Sequence, residues 1–290
     1  MRSWMSKSIV TFLTIMALAH ALAATPGAAA PQARAEQAGG QRGGNPNMIV
    51  PGVQKMPNPP GPAPKRDLNG AWIGPLMNAR ETIPAMTPAG EARFKQNKPQ
   101  GVVTIAATND PFVTCDPLGL TRGIISHAFV GKEGVWFEQA PNRMFIMQQY
   151  QRVWRDVAMD GRSLPAKVDA RGFPDSRFYG YSVGHWDGDN TLVIDTTGVS
   201  DQTWLDKNGN PHTVNALIEE RYTRTDHNHM QMTVTVDDPT IYTKPFALSK
   251  NQYRWIPDQE EEEQICVPSE MLHYMDLVSK PSFGVDEHPK

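Results

Sequence analysis

From residue 124 to residue 267 the chain is a succession of short β-rich runs broken by tight turns, and this feature confines it to a mainly β architecture. The runs are 124–130, 135–139, 144–149, 151–159, 179–186, 191–197, 217–224, 230–236, 246–255 and 260–267. Turn signals separate several of them: Asp160-Gly161-Arg162, Asp187-Gly188-Asp189-Asn190 and Asp226-His227-Asn228-His229. No helical pattern is long enough for repeated βαβ units. The expected fold is an antiparallel up-and-down barrel or a strongly curved sheet. Closing the sheet would remove its exposed edges and leave an interior cavity. One short helix is expected before the strands. Thr87 supplies its N-cap, Pro88 its first residue and Glu91 an acid in its first turn.

The 144 residues of the strand succession leave a long N-terminal part to explain. Residues 1–24 read as a signal peptide, with Arg2 and Lys7 ahead of an apolar run and Ala21-Leu22-Ala23 at its end. An uncleaved anchor is the competing reading, but the run is short for a ~30 Å hydrocarbon core. Residues 25–66 are rich in Ala, Gly and Pro and read as a disordered linker. Residues 67–290 are expected to form a single β-rich domain. The mature chain is therefore expected to be periplasmic or extracellular, with no stable membrane insertion. A formal net charge of -3 gives no support for nucleic-acid binding.

Export bears on the 2 Cys residues, Cys115 and Cys266. In an oxidising compartment two lone Cys pair, and the bridge would tie an early loop to the last strand. A free catalytic thiol is the alternative, although neither Cys has a His close by in sequence.

The densest polar cluster runs from Asp195 to His212, a loop long enough to act as a lid or binding loop. Three catalytic candidates follow: His212 as a proton carrier with Asp195 or Glu220 as its carboxylate. With Val193 facing inward, Asp195 would lie at the mouth of the barrel. Trp204, Asp201, Asp206, Tyr222 and Tyr242 are the ligand-binding candidates, with Trp204 as a flat platform. The structural alternative makes the acids turn caps, Trp204 a plug and His212 a loop clasp. Asp206, Asn208, Asn210 and His212 alternate as calcium ligands do, but Gly209 is misplaced and no closing Glu follows. No metal or cofactor is assigned. Glu219 to Arg224 carry charge on both faces of one strand, so either one face meets a polar cavity or the strand bears an external salt-bridge ladder. Arg155 is expected to stack on Trp154 or pair with Asp156. Glu260 to Glu263 read as a solvated edge.

Several segments resemble a family of secreted, uncharacterised proteins of soil bacteria. They include Gly180-Tyr181-Ser182-Val183-Gly184-His185-Trp186-Asp187-Gly188-Asp189, Leu192-Val193-Ile194-Asp195-Thr196 and Glu220-Arg221-Tyr222-Thr223-Arg224. Asp237-Asp238-Pro239-Thr240-Ile241-Tyr242 and Cys266-Val267-Pro268-Ser269-Glu270 match as well. The resemblance implies export but no activity. Gly70-Ala71-Trp72 is similar to the Gly-x-Trp element of lipocalin-like barrels. That similarity implies a Trp packed beneath the barrel against an Arg, for which Arg254 is the expected partner.

The leading expectation is an exported binder of a small amphipathic or aromatic molecule in the barrel. The alternative is a hydrolase or lyase with a His–carboxylate pair at the barrel mouth. A third class is an assembly protein attached through its Pro-rich arm.

Overall fold

The computed structural model describes residues 58–74, 78–79, 82–100, 102–103, 107–125, 134–149, 153–258 and 265–279. The signal-peptide reading, most of the linker and the acidic run 260–263 lie outside them. Nine strands close a barrel: β1 (Gly70–Ile73), β3 (Gly134–Ala140), β4 (Arg143–Gln148), β5 (Val153–Ala158), β6 (Tyr181–Asp187), β7 (Thr191–Thr197), β8 (Leu217–Arg224), β9 (His229–Asp237) and β10 (Phe246–Trp255). The ring shuts where Trp72 pairs with Trp255 and Ile73 with Arg254. A two-residue strand, β2 (Asn78–Ala79), continues the line of β1 along β10.

The barrel is not purely antiparallel. β5 and β6 run parallel, joined at Val157–Ser182 and Ala158–Val183. Parity explains this. Strands around a closed ring cannot alternate direction throughout when their number is odd, so one neighbouring pair must be parallel. A parallel pair needs a crossover rather than a hairpin. Asp160-Gly161-Arg162 therefore opens the long connection 159–180 instead of a tight turn. The turns at 188–190 and 225–228 do join hairpins, as expected.

Among the described residues, three α-helices and one 3-10 helix (Pro111–Thr114) accompany the strands. α1 (Pro88–Phe94) starts where Thr87 accepts a hydrogen bond from the Gly90 amide. α2 (Leu120–Ile125) occupies residues that sequence places partly in a strand, and residues 126–130 of that run lie outside the described ones. Its Leu120, Ile124 and Ile125 belong to the barrel core, so burial on a helix face accounts for the apolar run. α3 (Pro268–Ser279) was not expected at all. Cys266 stands just before α3 rather than on a strand, and it forms a disulfide with Cys115. Both thiols are thus consumed. None of the described helices is long and apolar enough to cross a membrane.

Period two places Leu192, Ile194 and Thr196 of β7 inside, together with Ile218, Glu220 and Tyr222 of β8. Met230, Met232, Val234 and Val236 line the β9 side. The interior is filled by these side chains; Phe137 and Tyr222 meet edge to face with ring centres 5.1 Å apart.

The base of the barrel is closed by Trp72. Its indole donates to the Leu68 carbonyl at 2.8 Å. The guanidinium over its ring, at 4.9 Å, belongs to Arg224. Arg254 is exposed on the outer face of β10, so it does not take the role expected of it. Arg224 also donates to the carbonyls of Asp67 at 2.8 Å and His227 at 2.6 Å. Residues 58–66 pack against this end as well: His227 donates its amide to the Gly61 carbonyl, and Lys65 pairs with Asp189. Residues 58–66, the described end of the expected linker, are thus held against the barrel.

Candidate functional site

Two polar groups contain most of the expected site residues, and they lie in different parts of the molecule. The first is inside the barrel. Arg155 lies between Val153 and Val157 on the inward face of β5, and Glu220 lies between Ile218 and Tyr222 on the inward face of β8. Their contact is bidentate: Arg155 Nη1 donates to Glu220 Oε2 at 3.0 Å and Nη2 to Oε1 at 2.8 Å. Tyr222 donates its hydroxyl to Glu220 Oε2 at 2.7 Å. Arg155 Nη2 also reaches Ser182 Oγ at 3.2 Å, and Ser182 in turn bonds Thr196. Burial alone would lower the Arg155 pKa, but the Glu220 carboxylate outweighs it and the net direction is upward. Burial drives the Tyr222 and Tyr253 phenols above their ordinary range. Both phenols are thus donors, not bases, near neutral pH.

Two donors of this group have no acceptor among the described residues. They are Arg155 Nε and Asn251 Nδ2. Asn251 Oδ1 is used by Ser249 at 2.8 Å, so the amide is held, and its nitrogen, beside the Tyr253 phenol, meets no acceptor in full hydrogen-bond geometry among the described residues. Leaving a buried donor unpaired costs about 1–3 kcal/mol, and each such group calls for an acceptor.

The face of β8 was legible, since Glu220 and Tyr222 do share the interior. Arg155 was missed. It neither stacks on Trp154, which is 66% exposed, nor pairs with Asp156, which meets Arg143 instead. Adjacent strand residues point to opposite faces, so Trp154 and Asp156 face outward while Arg155 faces inward. The available signal was an Arg on the apolar face of one strand and a Glu on the apolar face of another.

The second group is the loop that follows β7. It is clamped from several directions. Thr121 donates to the Leu205 carbonyl at 2.8 Å, Tyr242 to the Pro211 carbonyl at 2.9 Å and Asn97 to the Gly209 carbonyl at 2.7 Å. Asp238 accepts the Thr213 amide at 2.6 Å. Asp206 accepts from both Asn208 and Asn210 side chains, each at 3.0 Å, so its carboxylate closes the loop on itself. Among the described residues no group of three His, Cys, Asp or Glu is placed to hold a metal ion. Gly119, at φ +85°, packs so closely on Thr203 that a Cβ there would lie 2.4 Å from its hydroxyl.

His212 is buried in this loop. Its Nδ1 meets the Thr213 carbonyl at 3.1 Å and its Nε2 meets Thr203 Oγ1 at 3.0 Å. Burial lowers its pKa, partly opposed by the Thr213 carbonyl bond. A neutral ring with its proton on Nδ1 donates to the Thr213 carbonyl, and the one hydroxyl proton of Thr203 is shared between His212 Nε2 and the Ser200 carbonyl, 2.8 Å away. Thr203 is only 1% exposed, which keeps a substrate from its hydroxyl. Trp204 is 4% exposed, and the Arg122 guanidinium lies 5.7 Å from its ring. Arg122 itself is held in a buried bidentate pair with Asp110. The indole is a wedge in this packing rather than an open platform. A cleft of about 340 Å3 runs along its edge, between α1 and the loop, where Arg93 pairs with Asp201 at 2.9 Å.

Asp195 belongs to neither group. Leu192, Ile194 and Thr196 take the interior, so Val193 and Asp195 lie on the outer face, with Asp195 opposite Glu219. Asp195 and Glu220 are thereby on opposite sides of the barrel wall. The ring nitrogens of His212 are engaged by Thr203 and Thr213, and the Glu220 carboxylate by Arg155 and Tyr222. The three catalytic candidates are not assembled as a His–carboxylate pair.

Compared with protein-family models, curated proteins and solved structures, the chain matches none. The architecture itself is a closed nine-stranded barrel, consistent at most with the broad class of calycin-like barrels.

Proposed function

We propose that this chain is an exported binding protein that holds a small amphipathic or aromatic molecule in its barrel. The ligand offers an acceptor oxygen to the donors around Arg155 and Asn251. The observation that carries the reading is the pair of buried N–H groups, Arg155 Nε and Asn251 Nδ2, left without an acceptor among the described residues of the inner wall. The surrounding side chains suit an amphipathic guest: methionines and aromatics on one side, Ser182, Thr196 and Tyr222 on the other. The flexible methionines of β9 can repack to admit it. The resemblance to secreted soil-bacterial proteins and the signal-like start at residues 1–24 support export. A lipocalin-like identity is part of the same proposal and rests on Trp72 stacked beneath an Arg.

Native mass spectrometry of protein purified from the periplasm without reductant tests it. The expected result is a discrete organic mass above the polypeptide, lost in Asn251→Leu. A bare polypeptide, together with no binding by equilibrium dialysis across lipids, aromatics and sugars, overturns the reading.

A further inference from the structure

We propose that the cleft outside the β5–β6 seam is a second binding site, selective for small organic carboxylates. It encloses about 380 Å3 beside the parallel pair β5–β6. The crossover 159–180 must return along this wall, and it roofs the space between the end of β5 and the start of β6.

Three guanidinium groups line the cleft: Arg143, Arg162 and Arg177. Two already have carboxylate partners, Arg143 with Asp156 and Arg162 with Asp160. Arg177 has none among the described residues. Its guanidinium lies 4.1 Å from the centre of the Tyr181 ring, which sets its plane. Its backbone is anchored on both sides: the amide donates to Gly198 at 2.9 Å, and the carbonyl accepts from Gly180 and from Ser200. A planar fork held by stacking, with its N–H groups unused by protein, is organised to receive a carboxylate with two parallel hydrogen bonds. Leu164, Pro165 and Pro174 give part of the wall an apolar stretch, beside the polar Ser163, Asp156 and Ser182, and that stretch suits the carbon body of an organic anion over a bare inorganic one. Asp156 and Asp160 balance Arg143 and Arg162, so the charge this cleft offers an anion is that of Arg177.

Ser182 connects this cleft to the interior. It lines the cleft and accepts the hydrogen bond from Arg155 Nη2. The site stands whether or not the barrel interior holds a ligand of its own.

The test is an amide and guanidinium NMR titration of the purified protein with benzoate, with benzamide as the uncharged counterpart and inorganic phosphate as the anion without a carbon body. Benzoate is expected to give saturable shifts at Arg177 and Ser182, with a dissociation constant of about 1 mM or below. Benzamide is expected to leave both unmoved. Arg177→Gln, an exposed change that breaks no protein hydrogen bond, is expected to weaken benzoate by about tenfold with an unchanged melting temperature. Absence of saturable benzoate shifts, equal shifts with benzamide, or undiminished binding in Arg177→Gln overturns the site. Displacement of benzoate by an equal concentration of phosphate overturns its selectivity for organic anions. Shifts at the Asn251 side chain report the interior separately.

Discussion

Arg155 on β5 and Glu220 on β8 meet inside the barrel through both guanidinium Nη atoms and both carboxylate oxygens. Two strands, β6 and β7, lie between them in the sheet order, so the pair acts as a strut across the interior. Desolvating two charges is costly, and Tyr222 and Ser182 offset part of that cost with further hydrogen bonds, leaving Arg155 Nε without an acceptor among the described residues.

Removing one partner strands the other. Glu220→Leu and Arg155→Met should each lower stability by about 3–5 kcal/mol. Combining Arg155→Met with Glu220→Leu should recover part of the summed loss, because neither charge is left alone. Urea unfolding of the four proteins gives the coupling directly. Strictly additive losses would mean that the two side chains do not support each other.

The barrel base offers a contrast between two arginines. Arg224→Lys removes the stacking on Trp72 and the bonds to Asp67 and His227, and should cost about 2–3 kcal/mol. Arg254→Ala, on the exposed outer face, should stay within about 0.5 kcal/mol of the parent. Melting curves of both variants decide which residue braces the tryptophan.

His212 makes stability depend on pH in a stated direction. Its folded pKa is lowered from 6.5 by burial. Between that lowered value and 6.5 the unfolded chain binds more protons than the folded one. Stability is therefore complete above 6.5 and declines as pH falls toward the folded pKa, by at most about 1.4 kcal/mol per pH unit from this residue. His212→Gln should be less stable at pH 7.5 and should lose part of this slope. Urea midpoints of both proteins from pH 7.5 to 5 measure it; an unchanged slope in the variant would assign the dependence to other groups.

The disulfide between Cys115 and Cys266 closes a span of 151 residues. Thiol titration of denatured, unreduced protein should find no free thiol. The Cys115→Ser, Cys266→Ser double variant should lose about 2–5 kcal/mol, since a long loop is then free in the unfolded chain. Loss of α3 contacts before the barrel melts would show as a separate early transition in the variant.

Much of the fold was readable because its causes are local. Period-two alternation and turn chemistry marked β3 to β10, and Thr87-Pro88 marked the start of α1. The apolar run after residue 120 misled, because a short buried helix and a buried strand have the same local pattern. On the candidate site, the inward face of Glu220 and Tyr222 was readable from alternation. The partner of Glu220 was not, since Arg155 is 65 residues away and on another strand.

What the chain determined through its own residues, then, is a β-rich body, the positions of most turns, the bridge between its two cysteines and the charges set on apolar strand faces. Tertiary structure decided the number of strands in the ring, and with it the parallel seam, the crossover and the arginine cleft beside that seam. It also decided that Arg224, not Arg254, lies over Trp72, and that Asp195 faces away from Glu220. The reason is physical: alternation fixes which residues share a face within a strand, but only closure of the sheet sets which face is inside and which distant strands meet across it.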